Sequence, residues 1–205
     1  MKLSKGWGAI VVVSLILCTD QIIKIWIKTH LMLYEDIRIT GWFLLRFVEN
    51  NGMAMGIEVT GKLFLSIFRI IASFAIIYYI YNLVKKDFRS GYIICVSMIL
   101  AGAIGNIIDS IFYGVIFSES APYSVATLFP PEGGYGTWLH GKVVDMFYFP
   151  LFEFTWPSWI PWIGGSEFLF FRYIFNLADA SISVGIIIVF LFYRNTFSKS
   201  FGQKE

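Results

Sequence analysis

Four apolar runs, each long enough to cross a bilayer as a helix, constrain the fold of this chain more than any other feature. They cover approximately residues 8–28, 63–84, 92–113 and 173–193. A helix of about 20 apolar residues spans the hydrocarbon core of a membrane. Of the 205 residues, 57% are hydrophobic and only 15% are charged, which is too apolar for a soluble domain of this size. The sequence therefore predicts an integral membrane protein.

Basic residues predict the orientation of the chain. They precede the first run, separate the second from the third and follow the fourth: Lys2, Lys5, Lys85, Lys86, Arg89, Arg194, Lys199 and Lys204. Cytoplasmic loops carry the excess of Lys and Arg, so both termini are expected in the cytoplasm, with residues 29–62 and 114–172 outside. Alternating patches in the first outer segment indicate short strands. The second outer segment is rich in Pro, Gly and aromatic residues, and we expect it to lie at the outer headgroup level.

The predicted fold class is thus all-α and integral to the membrane, with four transmembrane helices and a small extracytoplasmic β-rich platform. The net charge of +2 provides no electrostatic footprint for nucleic acid. Cys18 and Cys95 both fall in apolar runs, which favours buried thiols over a disulfide. His30 and His140 are the two histidines, and without a His-Glu-x-x-His pattern they argue against a zinc protease. We expect neither a metal nor another cofactor.

Ionisable side chains inside the apolar runs are the first candidates for function, because a charge within a membrane is costly. At a rise of about 1.5 Å per residue, Asp20, Asp109 and Asp179 are predicted to converge in the outer half of the bilayer. Asp145 follows the third run and can reach the same level from outside. The third and fourth runs also place an asparagine three residues before their aspartate, at Asn106 and Asn176, so that amide and acid share one helix face.

Structural roles compete with chemical ones at several of these positions. Asp20 and Lys24, at i,i+4, are predicted to form an internal ion pair that fixes the first helix. For Asp109, structural hydrogen bonding and chemistry stay equally open. Arg69 is expected to extend its charge outward to the interface. The segment Asn50–Gly56 is equally compatible with a simple glycine-containing turn.

Asp145 and Asp179 are the strongest candidates for chemistry. No Lys or Arg lies at helical spacing from Asp179, and an unpaired buried carboxylate favours a second carboxyl group with which to share a proton. In such a pair one acid stays protonated while the other activates water. The residues therefore allow an intramembrane aspartic hydrolase. A proton-coupled transporter with an aspartate relay is the alternative, although the chain lacks broken-helix repeats, and a binding scaffold without catalysis is a third.

Five motifs in this order resemble the bacterial lipoprotein signal peptidases (signal peptidase II) over essentially the whole chain. They are Asp20-x-x-x-Lys24, Asn50-x-Gly52-x-Ala54-x-Gly56, Gly105-Asn106-x-x-Asp109, Val143-x-Asp145 and Phe175-Asn176-x-Ala178-Asp179. The resemblance implies a single membrane-embedded peptidase domain over residues 1–205, in the bacterial cytoplasmic (inner) membrane. The implied activity is cleavage of prolipoproteins on the N-terminal side of a diacylglyceryl-modified cysteine, near the outer face. The implied partners are the lipidated precursor and membrane lipid, and we expect a monomer.

The resemblance also implies roles for individual residues. Asp145 and Asp179 match the catalytic pair, without indicating which is acid and which is base. The positions that match substrate-binding or supporting residues are Asn50, Gly52, Asn106, Asp109 and Asn176.

This chain departs from the family pattern in two respects. The family usually has Arg after Gly-Asn-x-x-Asp, whereas this chain has Ser110, and Arg172 or Lys142 is expected to replace the missing charge. Outer insertions also separate Gly114 from Gly141 and Asp145 from Asp179, where they should modify the platform and leave the aspartate pair intact.

Overall fold

The computed structural model describes residues 4–50 and 61–202. Its helices are α1 (Lys5–His30), α2 (Lys62–Lys85), α3 (Ser90–Ile108), α4 (Gly114–Ile116), α5 (Leu177–Phe192) and α6 (Arg194–Gly202), and a π-helical turn at Asp109–Tyr113 joins α3 to α4. Its strands are β1 (Asp36–Arg38), β2 (Leu44–Asn50), β3 (Val143–Tyr148), β4 (Phe152–Thr155), β5 (Glu167–Phe170) and β6 (Ile174–Phe175).

Helix lengths match three of the predicted spans and correct the fourth. Among the described residues, α1, α2 and the helical segment Ser90–Ile116 are long and apolar enough to cross a membrane, with mean hydropathies of 2.0, 2.1 and 2.0. The predicted run 173–193 instead begins as strand β6. Helix α5 has only 16 residues, about 24 Å, and a bend of 87° separates it from α6. The two helices qualify as a fourth crossing only when taken together.

The reason for the late start of α5 is local. Ile174 pairs with Tyr148 and Phe175 with Phe147 in the sheet, so both residues are extended. The side chain of Asn176 then accepts a hydrogen bond from the backbone N–H of Asp179, which caps the helix. Apolar periodicity alone does not distinguish a buried strand that leads into a helix from the helix itself.

Helix α2 presents apolar residues outward and serines inward. Ile71 and Phe74 are exposed, whereas Ser66 and Ser73 are buried. This is the reverse of the pattern in a water-soluble helix, and it is the arrangement expected when lipid surrounds the bundle and small polar residues face neighbouring helices.

Helix α3 lies at the centre of the bundle, where it packs on α1, α2 and α5. Glycines allow the close approach to α5: a Cβ atom at Gly102 would lie 2.2 Å from the carbonyl oxygen of Ala178. A Cβ atom at Gly105 would lie 2.8 Å from Oδ2 of Asp20. Small residues on α3 therefore permit close contact between the helices.

Two antiparallel sheets form from the outer segments of the described chain. One has the strand order β1-β2-β3-β6, and the other pairs β4 with β5. Val48 lies opposite Asp145, and Asn50 lies opposite Val143. The predicted strands are therefore present, but the label all-α understates the role of the sheet: β3 carries Asp145, and β6 leads directly into the helix that carries Asp179.

Candidate active site

Asp145 lies in the middle of β3 and is almost fully buried, with 4% of its surface exposed. The amide of Asn176 donates to its Oδ1 atom at 2.6 Å. The amide of Asn50, at the end of β2, approaches its Oδ2 atom at 3.4 Å. Two amide donors from different elements thus orient this carboxyl group.

Asp179 lies in the first turn of α5 and is half-buried. Its Oδ1 atom accepts a hydrogen bond from the amide of Asn106 at 2.8 Å. Its Oδ2 atom accepts the backbone N–H of Asn176 at 3.4 Å, which completes a reciprocal capping box. A negative charge at this end of a helix is favourable.

The two aspartates interact electrostatically. Burial and the nearby negative charge of Asp179 raise the pKa of Asp145 to about 7, while the hydrogen bonds from Asn176 and Asn50 act in the opposite direction. In the described part of the chain, neither aspartate forms an ion pair with a Lys or Arg. A carboxyl group that keeps its proton near neutral pH beside a second carboxyl group is the arrangement needed for general acid–base chemistry.

The orientation of the Asn106 amide follows from its neighbours. Its Oδ1 atom accepts from Nζ of Lys24 at 3.0 Å and from Nδ2 of Asn176 at 3.1 Å. Because a lysine ammonium can only donate, the atom that faces Lys24 must be the carbonyl oxygen. The NH₂ group of Asn106 therefore points at Asp179. Lys24, by fixing the orientation of this amide, indirectly provides Asp179 with a hydrogen-bond donor.

Lys24 is the centre of a buried ionic cluster with Asp20 and Asp109. Its Nζ atom lies 2.9 Å from Oδ2 of Asp20 and 2.8 Å from Oδ2 of Asp109, and the three side chains are 0%, 1% and 0% exposed. Asp20 also accepts the backbone N–H of Ala178 at 3.0 Å, and Asp109 accepts that of Val144 at 3.3 Å. These two N–H groups belong to the residues directly before the candidate aspartates, so the cluster holds the backbone on which both are mounted.

Gln21 joins the two acids of this cluster. Its amide donates to Oδ1 of Asp109 at 3.0 Å and to Oδ2 of Asp20 at 3.2 Å, and its carbonyl accepts the hydroxyl of Tyr113 at 3.1 Å. Asp109 begins the π-helical turn, and such turns are frequent at functional sites. The sequence predicted no role for Gln21, because no local spacing links it to Asp109.

Arg69 differs from its predicted outward orientation. It is half-buried on α2 between the buried Ser66 and Ser73, at spacings of three and four residues that place all three on one helix face. Its charge interacts with Asp179, Asp109 and Asp145. The expectation that Arg69 extends away from the site is therefore wrong, and its side chain belongs to the polar interior.

The structure also bears on the missing family arginine. Ser110 is buried, and its hydroxyl donates to the backbone carbonyl of Asn106 at 2.9 Å. Lys142, one of the two predicted substitutes, instead contacts Glu49 at 3.2 Å. Glu49 is also paired with the fully buried Lys28. This second buried cluster was not predicted from the sequence, although Lys28 follows Lys24 by four residues on the same helix face.

Of the predicted site residues, the described structure brings together Asn50, Asn106, Asp109, Asp145, Asn176 and Asp179, with Asp20 and Lys24 behind them. Gly52 lies outside the described residues. Within residues 4–50 and 61–202, His, Cys, Asp and Glu side chains form no group of three that could hold a metal ion.

Comparison with known proteins gives a consistent assignment. The family model described as signal peptidase (SPase) II matches residues 12–194. A lipoprotein signal peptidase of Porphyromonas gingivalis is 52% identical over 205 residues, covering 100% of this chain and 90% of the relative. One of Amoebophilus asiaticus is 37% identical, covering 98% of this chain and 84% of the relative.

A solved structure supports the fold. A bacterial membrane enzyme determined at 2.3 Å aligns with a TM-score of 0.61 at 23% identity, covering 96% of this chain and 93% of that one. At this identity the likeness concerns the fold alone. The match of the family model and the two relatives are sufficient for the assignment: the chain belongs to the signal peptidase II family.

Proposed function

We propose that this chain is an intramembrane aspartic endopeptidase that removes the signal peptide from diacylglyceryl-modified prolipoproteins, on the N-terminal side of the lipidated cysteine. Family membership supports the substrate class, since the relatives are lipoprotein signal peptidases by name. The observation that carries the mechanism is the meeting of Asp145 and Asp179, from β3 and α5, in a buried site without a paired cation among the described residues.

The surroundings of the two aspartates support different catalytic roles for them. Asp145, whose pKa is raised to about 7 by burial and by Asp179, holds the proton and donates it to the developing oxyanion or the leaving amine. Asp179 receives the Asn106 amide and a backbone N–H at the start of α5, which fix the orientation of its carboxyl group. Since Asp145 is assigned the acid role, Asp179 is the base that deprotonates the attacking water.

The proposed location is the bacterial inner membrane, with both termini in the cytoplasm and the aspartates toward the outer face. Support comes from the basic residues at the termini and at the α2–α3 turn and from the apolar helices. In this arrangement the two sheets lie on the outer side, where a lipidated precursor arrives laterally from the bilayer. We propose a monomer, with membrane lipid as its surroundings.

Purified Asp145→Asn and Asp179→Asn variants test the proposal with one lipidated precursor as substrate. Each should lower turnover by about 10²–10⁴-fold, the contribution of a positioned acid or base, while the thermal unfolding temperature stays near that of the parent protein. Asp36→Asn is the matched control, because Asp36 pairs with Arg46 in the partly exposed β1–β2 hairpin and should leave turnover unchanged.

A second arm uses the same precursor without its diacylglyceryl group. The proposal requires strong preference for the lipidated form. Near-normal turnover by either aspartate variant would rule out the carboxyl pair, and equal cleavage of both precursors would rule out the proposed substrate class. The transporter alternative predicts no cleavage by the parent protein, and the engagement of Asp20 and Asp109 by Lys24 gives it no support.

A further inference from the structure

A cavity of about 430 Å³ lies at the end of the helix bundle opposite the aspartates. Its walls come from the turn between α2 and α3 and from the junction of α5 with α6. Helix α5 begins beside the aspartate site and reaches this cavity at Phe192, its last residue. The cavity is therefore separate from the catalytic machinery by the length of α5, about 24 Å.

Positive charge predominates around this cavity, which we call the basal pocket. Lys86 and Arg89 line one side and Lys199 lines the other. Among the described residues, Asp87 is the one acid in the lining, and its carboxylate already pairs with Lys5 at 2.7 Å. In the described part of the chain, none of the three lining cations forms an ion pair. Within residues 4–50 and 61–202, the basal pocket thus has an excess of cationic donors over acidic partners.

Helix α6 places the basal pocket at the boundary between membrane and water. Because α6 bends by 87° from α5, it runs across the end of the bundle rather than along it. Phe197 and Phe201 are exposed one turn apart and contact each other edge to face at 5.0 Å. Tyr79 of α2 stacks on Phe201 at 5.3 Å and hydrogen-bonds Ser200, which holds α6 in place. A short helix with aromatic and basic residues in this orientation is typical of the lipid headgroup region.

We propose that the basal pocket binds the headgroup of an anionic phospholipid of the inner leaflet. The Lys and Arg side chains match a phosphodiester, which accepts charge-assisted hydrogen bonds. Asn195 and Thr196, also in the lining, suit the hydroxyl groups of a glycerol headgroup, and Phe192 and Phe88 form an apolar rim for the upper acyl chains. The volume fits a headgroup and leaves the acyl chains in the bilayer. Basic pockets between transmembrane helices on the cytoplasmic side are known to favour anionic lipids.

Two double variants of equal charge test this proposal. Arg89→Gln with Lys199→Gln removes two cations that line the basal pocket. The control, Lys85→Gln with Arg194→Gln, also removes one Lys and one Arg from this end of the bundle. Lys85 is the last residue of α2 and Arg194 is the first residue of α6, and neither lines the pocket. The comparison therefore separates a specific site from general surface charge.

Each protein is placed in nanodiscs of phosphatidylcholine alone or with added phosphatidylglycerol. Retained phosphatidylglycerol is counted by native mass spectrometry, and the unfolding temperature is measured in both lipids. The parent protein and the Lys85/Arg194 variant should retain phosphatidylglycerol and unfold at a higher temperature in its presence. The Arg89/Lys199 variant should lose this increase in unfolding temperature. Its affinity for phosphatidylglycerol should be weaker by roughly 10- to 100-fold, as expected when two charged contacts are removed.

Equal losses in both double variants would overturn the proposal in favour of diffuse surface charge. No preference of the parent protein for phosphatidylglycerol would overturn it directly. Inorganic phosphate added to phosphatidylcholine nanodiscs separates the two sources of a phosphate group: stabilisation as strong as that by the lipid would overturn lipid binding in favour of a free-phosphate site. If the Arg89/Lys199 variant unfolds already in phosphatidylcholine, the single changes Lys199→Gln and Arg194→Gln on α6 provide the same comparison. Peptidase activity has no part in the readout.

Discussion

Replacing Lys24 by Met should destabilise the protein more than neutralising either of its acidic partners. The ammonium group of Lys24 lies within 2.9 Å of both Asp20 and Asp109, and all three side chains are buried. Removing one partner of a buried ion pair costs about 3–5 kcal/mol. Because Lys24→Met leaves two carboxylates without a counter-ion, we expect a cost of about 5 kcal/mol, at the upper end of that range.

Asp20→Asn should cost less, for a structural reason. The pair between Lys24 and Asp109 at 2.8 Å survives, whereas the new amide has a single oxygen for two groups of donors. If this oxygen keeps the N–H of Ala178, the NH₂ group faces the ammonium of Lys24, and if it faces Lys24, the N–H of Ala178 loses its acceptor. The loss is then that of one buried hydrogen-bond partner, about 1–3 kcal/mol. The double variant Asp20→Asn/Lys24→Met should recover part of the loss of Lys24→Met, but not all of it, because Asp109 stays unpaired.

Thermal unfolding in a single detergent measures these differences. For a chain of this size 1 kcal/mol corresponds to about 2–4 °C, so Lys24→Met should lower the unfolding temperature by about 10–20 °C and Asp20→Asn by about 2–12 °C. Lys5→Met is the matched control in the same helix: its partner Asp87 is 88% exposed, and exposed pairs contribute little. A loss for Lys24→Met no larger than that for Asp20→Asn would refute the shared-counter-ion argument. Normal stability with lost turnover in both variants would instead indicate a chemical role.

Three further outcomes are expected from the site geometry. The proposed mechanism uses the proton of Asp145, whose pKa is raised to about 7, so kcat/KM should fall as the pH rises above about 7. Asn50→Ala removes a hydrogen bond that lowers this pKa and should move the alkaline limb to higher pH; an unmoved limb would contradict the assignment. Arg69→Gln should lower kcat/KM more than Arg69→Lys, whereas an outward-extending arginine predicts no effect. Trp159 and Trp162 are 80% and 102% exposed, and changing both to Ser should raise KM for lipidated precursor more than it lowers kcat. An unchanged KM would show that this segment does not contact substrate.

Local spacing predicted those parts of the site that lie within one helix or at one depth. The i,i+4 spacing of Asp20 and Lys24 predicted a contact that the structure places at 2.9 Å. Helical rise along the apolar runs predicted that Asp109 and Asp179 lie at one level, and they share the network around Asn106. Such predictions succeed because helix geometry repeats regularly from residue to residue.

Contacts between elements were not predictable in the same way. Arg69 was misjudged because its electrostatic partners lie on β3, α5 and the π-helical turn, none of which is near it in sequence. The hydrogen bond between Gln21 and Asp109 and the second ion pair of Lys24, with Asp109, were not predicted for the same reason. Strand β6 was read as part of the fourth span, since both conformations bury an apolar run and only pairing with β3 distinguishes them.

The sequence by itself determined that this chain enters a membrane, which carboxylates and amides interrupt its apolar runs, and at what level along each run they lie, because hydropathy and helical rise are properties of a single segment. Only the tertiary structure decided which of these groups meet. The approach of α3 and α5 at Gly102, and the register that sets Val48 opposite Asp145, bring residues distant in sequence within hydrogen-bonding distance. They also allow one lysine to serve two acids, each of which holds the backbone next to a candidate catalytic aspartate.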